Sequence, residues 1–238
     1  MHDAFRLGIL GGFGPLPTAH LYMRLSCILN PRPEIIVVSP AMSKEQERML
    51  LRHEVNAATE ETIRESLNKL NRMSLDSTTV PSITVASLIR KCGMRLNTVS
   101  NWFDAINKAV LARSPRRIGI IATNAVIEHS ELINGFHKIG LSVVCAPHIQ
   151  DQFHEWVLSC CQLGMPITPH DHLISKYSDF FKEKEIDLCV LACTEACLPD
   201  ACFGRIHSNV INVLSVLETL ILSRIKQCVN NPPHNTSE

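Results

Sequence analysis

The sequence predicts an α/β protein made of two similar doubly wound parallel-sheet lobes, with the active site in the cleft between them. Three observations carry this. Apolar runs of strand length alternate with helix-compatible stretches along the chain. A shift of 111 positions lays Arg6-Leu7-Gly8-Ile9-Leu10 on Arg117-Ile118-Gly119-Ile120-Ile121, so the plan is used twice. The same shift lays Val80-Pro81-Ser82-Ile83-Thr84 on Leu191-Ala192-Cys193-Thr194-Glu195, pairing Ser82 with Cys193 at equivalent strand ends. The lobes are expected at residues 1–100 with 209–229, and at 101–208, followed by a disordered, proline-bearing tail at 230–238.

In the first lobe, Leu7–Leu10 is a strand, Gly11 to Pro15 a glycine turn, and the stretch to about Leu29 a helix. Ile35–Val38 is the second strand, and Lys44 to about Arg72 is rich in charge and helix formers. Ser77–Pro81 is a third strand, with a helix beginning after Ser82. The second lobe repeats the alternation. Trp102–Ala112 is helical, Arg117–Ala122 a strand, and Ile127–Ile139 one helix ended by Gly140. Leu141–Cys145 is a strand, Gln150–Leu163 and His172–Lys184 are helices, and Asp187–Ala192 is a strand. Val210–Val213 is the last strand, and the closing helix Leu214–Val229 is expected to return to the first lobe.

Composition narrows the function. Lys+Arg and Asp+Glu both count 23, so net charge gives no attraction to nucleic acid or to an anionic membrane. The N-terminus has no signal-peptide layout, and no apolar run reaches membrane-spanning length. Ten cysteines without a secretory signal read as reduced thiols of a cytoplasmic protein. A small neutral or zwitterionic ligand fits this balance.

Ligands of doubly wound sheets sit beyond the carboxyl ends of the strands. Gly11 to Gly14, Ser82, Thr123 and Cys193 all fall at such ends. The Gly11-Gly12-Phe13-Gly14-Pro15 turn leaves a helix N-terminus suited to a carboxylate, or is simply a tight turn. Its spacing matches neither the dinucleotide fingerprint nor the P-loop. Cys193, between a strand end and an expected helix start, should have its thiol pKa lowered by N–H dipoles. Taken alone, a cysteine after a buried strand is more often a small core residue. Glu195 and Thr194 stand where they can position the thiol or a substrate amine.

Gly8 to Pro15, Gly119 to Thr123 and Leu191 to Glu195 resemble, in order and spacing, motifs of the aspartate/glutamate racemase family. The resemblance implies two α/β lobes, often dimeric, so a homodimer acting on a small amino acid or carboxylate, without metal or pyridoxal cofactor. In that family two cysteines face each other across the substrate α-carbon, one removing the proton and the other supplying one. It implies Cys193 and Ser82 as the catalytic positions. Gly12, Gly14, Arg48, Ile83, Thr84, Thr123, Asn124, Gln162, Thr194 and Glu195 are the implied substrate-binding positions, with Arg52 the alternative to Arg48.

The family's first motif, similar to Pro-Cys-Asn-Thr-Ala-His, stands here as Pro81-Ser82-Ile83-Thr84-Val85-Ala86. Val126 replaces a mid-chain threonine, and Gln162 a carboxylate-binding lysine. A serine hydroxyl titrates far above a thiol and cannot be an equivalent base. The expected chemistry is therefore one-base proton transfer at an α-carbon through Cys193, on a substrate other than aspartate or glutamate, with an apolar side chain. A single-cysteine decarboxylase or lyase resembling the arylmalonate decarboxylases is one alternative, and a carboxylate-binding homologue that has lost catalysis is the other. Cys189, Cys193, Cys197, Cys202 and His207 lack zinc-site spacing and read as scattered thiols. His170-Asp171-His172 reads as a helix start.

Overall fold

The computed structural model describes residues 4–52, 54–94, 96, 102–163, 168–169 and 171–230, except the side chains of residues 129, 229 and 230. His170, most of the tail and the expected lobe boundary lie outside these residues.

Strand β1 (Arg6–Leu10) is followed by α1 (Pro15–Ile28), β2 (Glu34–Val38), α2 (Lys44–Arg52), α3 (Ala57–Asn71), β3 (Ser77–Thr79) and α4 (Ile83–Lys91). The second half runs α5 (Trp102–Leu111), β4 (Arg117–Ile121), α6 (Asn124–His129), α7 (Glu131–Lys138), β5 (Ser142–Val144), α8 (Gln150–Leu163), α9 (Asp171–Glu183), β6 (Leu188–Leu191), β7 (Val210–Asn212) and α10 (Val213–Asn230). The strands form two wholly parallel sheets, ordered β2-β1-β3 and β5-β4-β6-β7. Parallel sheets need both faces covered, and the helices between strands cover them.

The 111-residue echo reaches the register. Leu7 pairs with Ser77 and Gly8 with Thr78, while Ile118 pairs with Leu188 and Gly119 with Cys189. Both central strands carry a glycine beneath a neighbouring apolar side chain. A Cβ at Gly8 would run into Leu75, and one at Gly119 into the Phe181 ring. The second lobe closes over an aromatic cluster in which Phe153, Trp156, Tyr177 and Phe203 meet edge-on or tilted.

Three expectations change. The helical stretch after Lys44 breaks in two, and the Asn56 side chain accepts from the Thr59 N–H to start α3. The helix foreseen at Ile127–Ile139 is also two, because Ser130 takes an extended backbone and its hydroxyl caps Ile133 N–H. Finally, β7 belongs to the second sheet, pairing Cys189 with Val210, and not to the first lobe. The Asn209 carbonyl accepts from the Cys189 N–H, and the Asn209 side chain donates to the Asp187 carbonyl. These bonds tie the strand where it starts. Helix α10 then packs chiefly on α5 and also on α1. No described helix is long and apolar enough to cross a membrane.

Candidate active site

The site is built from strand ends. Gly11 N–H donates to the Val38 carbonyl at 2.9 Å, which fixes the chain where β1 stops. Gly12 and Gly14 then turn at φ of +83° and +86°, a region that favours glycine. Pro15 opens α1, where its missing N–H costs nothing. Across the sheet, Ser82 follows β3 and its Oγ accepts from the Val85 N–H at 3.4 Å, making it the N-cap of α4. In the other lobe β4 delivers Thr123, and β6 delivers Cys193, Thr194 and Glu195.

These ends line one cleft of about 510 Å3, its open mouth included, completed by Glu47, Leu50 and Leu51 of α2 and Cys161 of α8. Phe13, Gly14, Ser82, Ile83, Thr84, Val85, Thr123, Ala192, Cys193, Thr194 and Glu195 form the rest of its wall. The Thr84 and Thr123 hydroxyls, one from each lobe, lie 3.5 Å apart.

Glu195 is the organising group. It is 6% exposed, and one carboxylate oxygen, Oε2, accepts from the Cys193 thiol at 3.1 Å and the Thr194 hydroxyl at 3.4 Å. Its other oxygen lies 4.0 Å from the Cys161 thiol. A Cβ on Gly14 would collide with that same oxygen, so the glycine turn of one lobe is shaped to the carboxylate of the other. The turn foreseen as a seat for an incoming carboxylate is thus in contact with the protein's own.

The electrostatics reverse one expectation. No α-helix follows Cys193, because residues 194–197 form turns that lead into a short 3-10 segment at Pro199–Ala201. The thiol is held well above its ordinary value, first by burial, then by the adjacent Glu195 carboxylate and the hydrogen bond donated to it. The N–H groups of Ala196 and Glu195 oppose this without winning. Burial likewise raises Glu195, aided by the Glu47 carboxylate, and raises Glu47 itself. The resting site is a protonated thiol beside carboxyls under pressure to hold protons.

Some residues singled out in the sequence stand outside the cleft wall. Gly12 abuts Ser39 instead. Asn124 spends its backbone N–H on Nε2 of His154 at 2.9 Å. That histidine is depressed mainly by burial, with Arg52 contributing, as suits a ring nitrogen used as an acceptor. Arg48, Arg52 and Gln162 are exposed, and Glu47 and Cys161 hold the inward positions beside them. A helix turns about 100° per residue, so a neighbour one place along leaves the face. The signal was available: Glu47, Leu50 and Leu51 fall on one stripe at i, i+3 and i+4. Cys161 likewise follows Val157 and Leu158 on the buried face of α8.

Among the described residues, no three His, Cys, Asp or Glu side chains gather as metal ligands would. Cys197 donates to the Leu191 carbonyl, and the His207 ring bonds to the backbone at Asn209 and Ile186.

No family model matches the chain. It is 25% identical over 155 residues to glutamate racemase 1 of Caldanaerobacter subterraneus subsp. tengcongensis, a match covering 65% of this chain. That match spans only 57% of the relative's length. Among solved structures, the aspartate racemase of Picrophilus torridus superposes with a TM-score of 0.72 at 16% identity, covering 94% of this chain and 95% of that one. An aspartate racemase homologue from Pyrococcus horikoshii OT3 gives 0.67 at 18%, covering 93% and 99%. The glutamate racemase of Francisella tularensis, solved with D-glutamate, gives 0.64 at 15%, covering 99% and 85%. The chain has the two-lobed α/β fold of the aspartate/glutamate racemases.

Proposed function

We propose that the protein is a divergent member of the aspartate/glutamate racemase family, a cofactor-independent isomerase acting at the α-carbon of a small amino acid. One observation carries the reading: Cys193 lines the cleft between the lobes with its thiol 3.1 Å from Glu195, opposite in the repeat to a serine. The substrate ammonium pairs with Glu195, and this removes the carboxylate's hold on the thiol. The Cys193 thiol gives up its proton to solvent water at the open mouth of the cleft. The thiolate takes the α-proton to leave a carbanion conjugated with the substrate carboxylate, and the new S–H, once exchanged with solvent, returns a proton to the same carbon. Return from the same face exchanges the proton with retention. Inversion requires delivery from the other face, for which the Ser82 hydroxyl can relay a proton through water but cannot act as a base.

The Thr84 and Thr123 hydroxyls supply neutral donors for the substrate carboxylate. Among the described residues no arginine, lysine or histidine lines the cleft, so a second substrate carboxylate meets no cation there. The substrate is accordingly not aspartate or glutamate. The resemblance further implies a homodimer, and the ten free cysteines suit the cytoplasm.

The test is proton NMR in deuterium oxide with a panel of L- and D-amino acids, beside Cys193→Ala. Loss of an α-proton signal only in the protein that keeps Cys193 is expected. Exchange that persists without the thiol would overturn the assignment. Release of carbon dioxide from a substituted malonate would instead make the protein a single-cysteine decarboxylase.

A further inference from the structure

The cleft carries one carboxyl more than a neutral amino acid needs. Glu195 is accounted for by the thiol and by a substrate ammonium. Glu47, three residues from the exposed Lys44 and three from the buried Leu50, projects into the same cavity from α2. It is close enough to act on both Glu195 and Cys161 through space. Among the described residues neither carboxyl has a cationic partner lining the cavity, and Lys44, one turn back on α2, acts on the half-buried Glu47 from outside it. The remaining lining is hydroxyls, thiols and apolar side chains. Glu195 is nine-tenths buried, and its side-chain hydrogen-bond partners are a hydroxyl and thiols, all neutral.

Holding a buried carboxyl and a half-buried one side by side without counter-charge in the cavity is costly, and a ligand that brings the positive charge offsets that cost. One α-ammonium answers one carboxylate. The other needs a second positive group on the ligand, and the apolar stretch formed by Phe13, Leu50, Leu51, Ile83 and Val85 suits the methylenes that would carry it. We infer that the cleft selects an amino acid with a cationic side chain, of the lysine or ornithine kind, and that Glu47 is the residue that reads the side-chain charge. This deepens the functional reading above and rests on it for the α-carbon chemistry, but not for binding. It also replaces the apolar side chain expected from the motif changes alone. Those changes remove cations but say nothing of the carboxyl on α2.

Calorimetric titration of the full chain separates the terms. L-Lysine should bind at least about tenfold more tightly than L-norleucine, which has the same carbon chain without the ε-ammonium, and more tightly than L-glutamate. Glu47→Gln should bring lysine to within about threefold of norleucine while norleucine changes less than twofold. Glu47→Arg should turn the preference toward glutamate, a gain that misfolding cannot imitate. Norleucine or glutamate binding as tightly as lysine, no lysine binding, or a lysine preference that survives Glu47→Gln would each overturn the assignment. Cadaverine binding as tightly as lysine would overturn it in favour of a diamine. Lysine bound with the predicted selectivity but without Cys193-dependent α-proton exchange would leave this inference standing and remove the racemase reading.

Discussion

Gly14 joins the two halves of the cleft at the level of single atoms. Its φ of +86° already disfavours a side chain, and a Cβ there would occupy the space of the Glu195 carboxylate. Gly140 supplies the control, since it has φ of +79° with nothing within 4 Å of an added Cβ. Strain from a left-handed backbone alone costs about 1–3 kcal/mol, and Gly140→Ala should show a loss of that order with turnover intact. Gly14→Ala carries the same strain and must also displace Glu195, so it should lose more stability and most of its turnover. Thermal unfolding with exchange assays on both variants checks this. Equal losses in stability and equal activity would show that Glu195 does not depend on the glycine turn.

At the scale of elements, the same residue can serve a helix and a reaction, and Ser82 tests where one ends. As N-cap of α4 its hydroxyl accepts from Val85, so Ser82→Ala should cost about 1 kcal/mol in denaturant unfolding. In the one-base mechanism that variant keeps proton exchange with retention and loses whatever inversion the native protein has. Loss of exchange itself would make Ser82 indispensable to proton removal and would sink the one-base scheme. The elements themselves were mostly legible. The repeat at 111 residues announced the shared register of β1 with β3 and β4 with β6, because buried parallel strands keep continuous apolar runs that align by eye. The break at Ser130 hid inside a continuous apolar period, although a serine before Glu131 is a cap signal. Helix faces near the cleft were harder. Resemblance pointed to Arg48 and Gln162, but orientation is set by which stripe meets the core, and that stripe chose Glu47 and Cys161. The helix expected after Cys193 failed for another reason. Its sequence, Thr194-Glu195-Ala196-Cys197, is helix-compatible, yet the Asn212 side chain holds the Cys197 carbonyl at 2.7 Å and Pro199 follows.

For the molecule as a whole, these local arrangements set opposite pH dependences of stability. His154 and His20 are depressed below 6.5, chiefly by burial, so the unfolded chain binds protons more readily and stability falls as pH drops through that value. Glu195 and Glu47 are raised above 4.5, so the folded chain holds protons that the unfolded chain has released. Their favourable contribution is complete below 4.5 and is lost as pH rises through the folded values. At pH 7.5 the empty cleft therefore works against the fold, as functional sites do when they break a local rule. Glu195→Gln, which keeps the shape and removes the charge, should raise the melting temperature at pH 7.5, on the scale of about 2–4 °C per kcal/mol. The advantage should shrink toward zero as pH approaches 4.5. A ligand ammonium repairs the same deficit by mass action, so an amino acid that binds should stabilise the native protein more than the variant. Melting curves across pH, with and without ligand, read both effects. A variant less stable than the native protein at pH 7.5 would mean that the Cys193 and Thr194 hydrogen bonds outweigh the buried charge. The cleft would then be preorganised by Glu195 instead of strained by it.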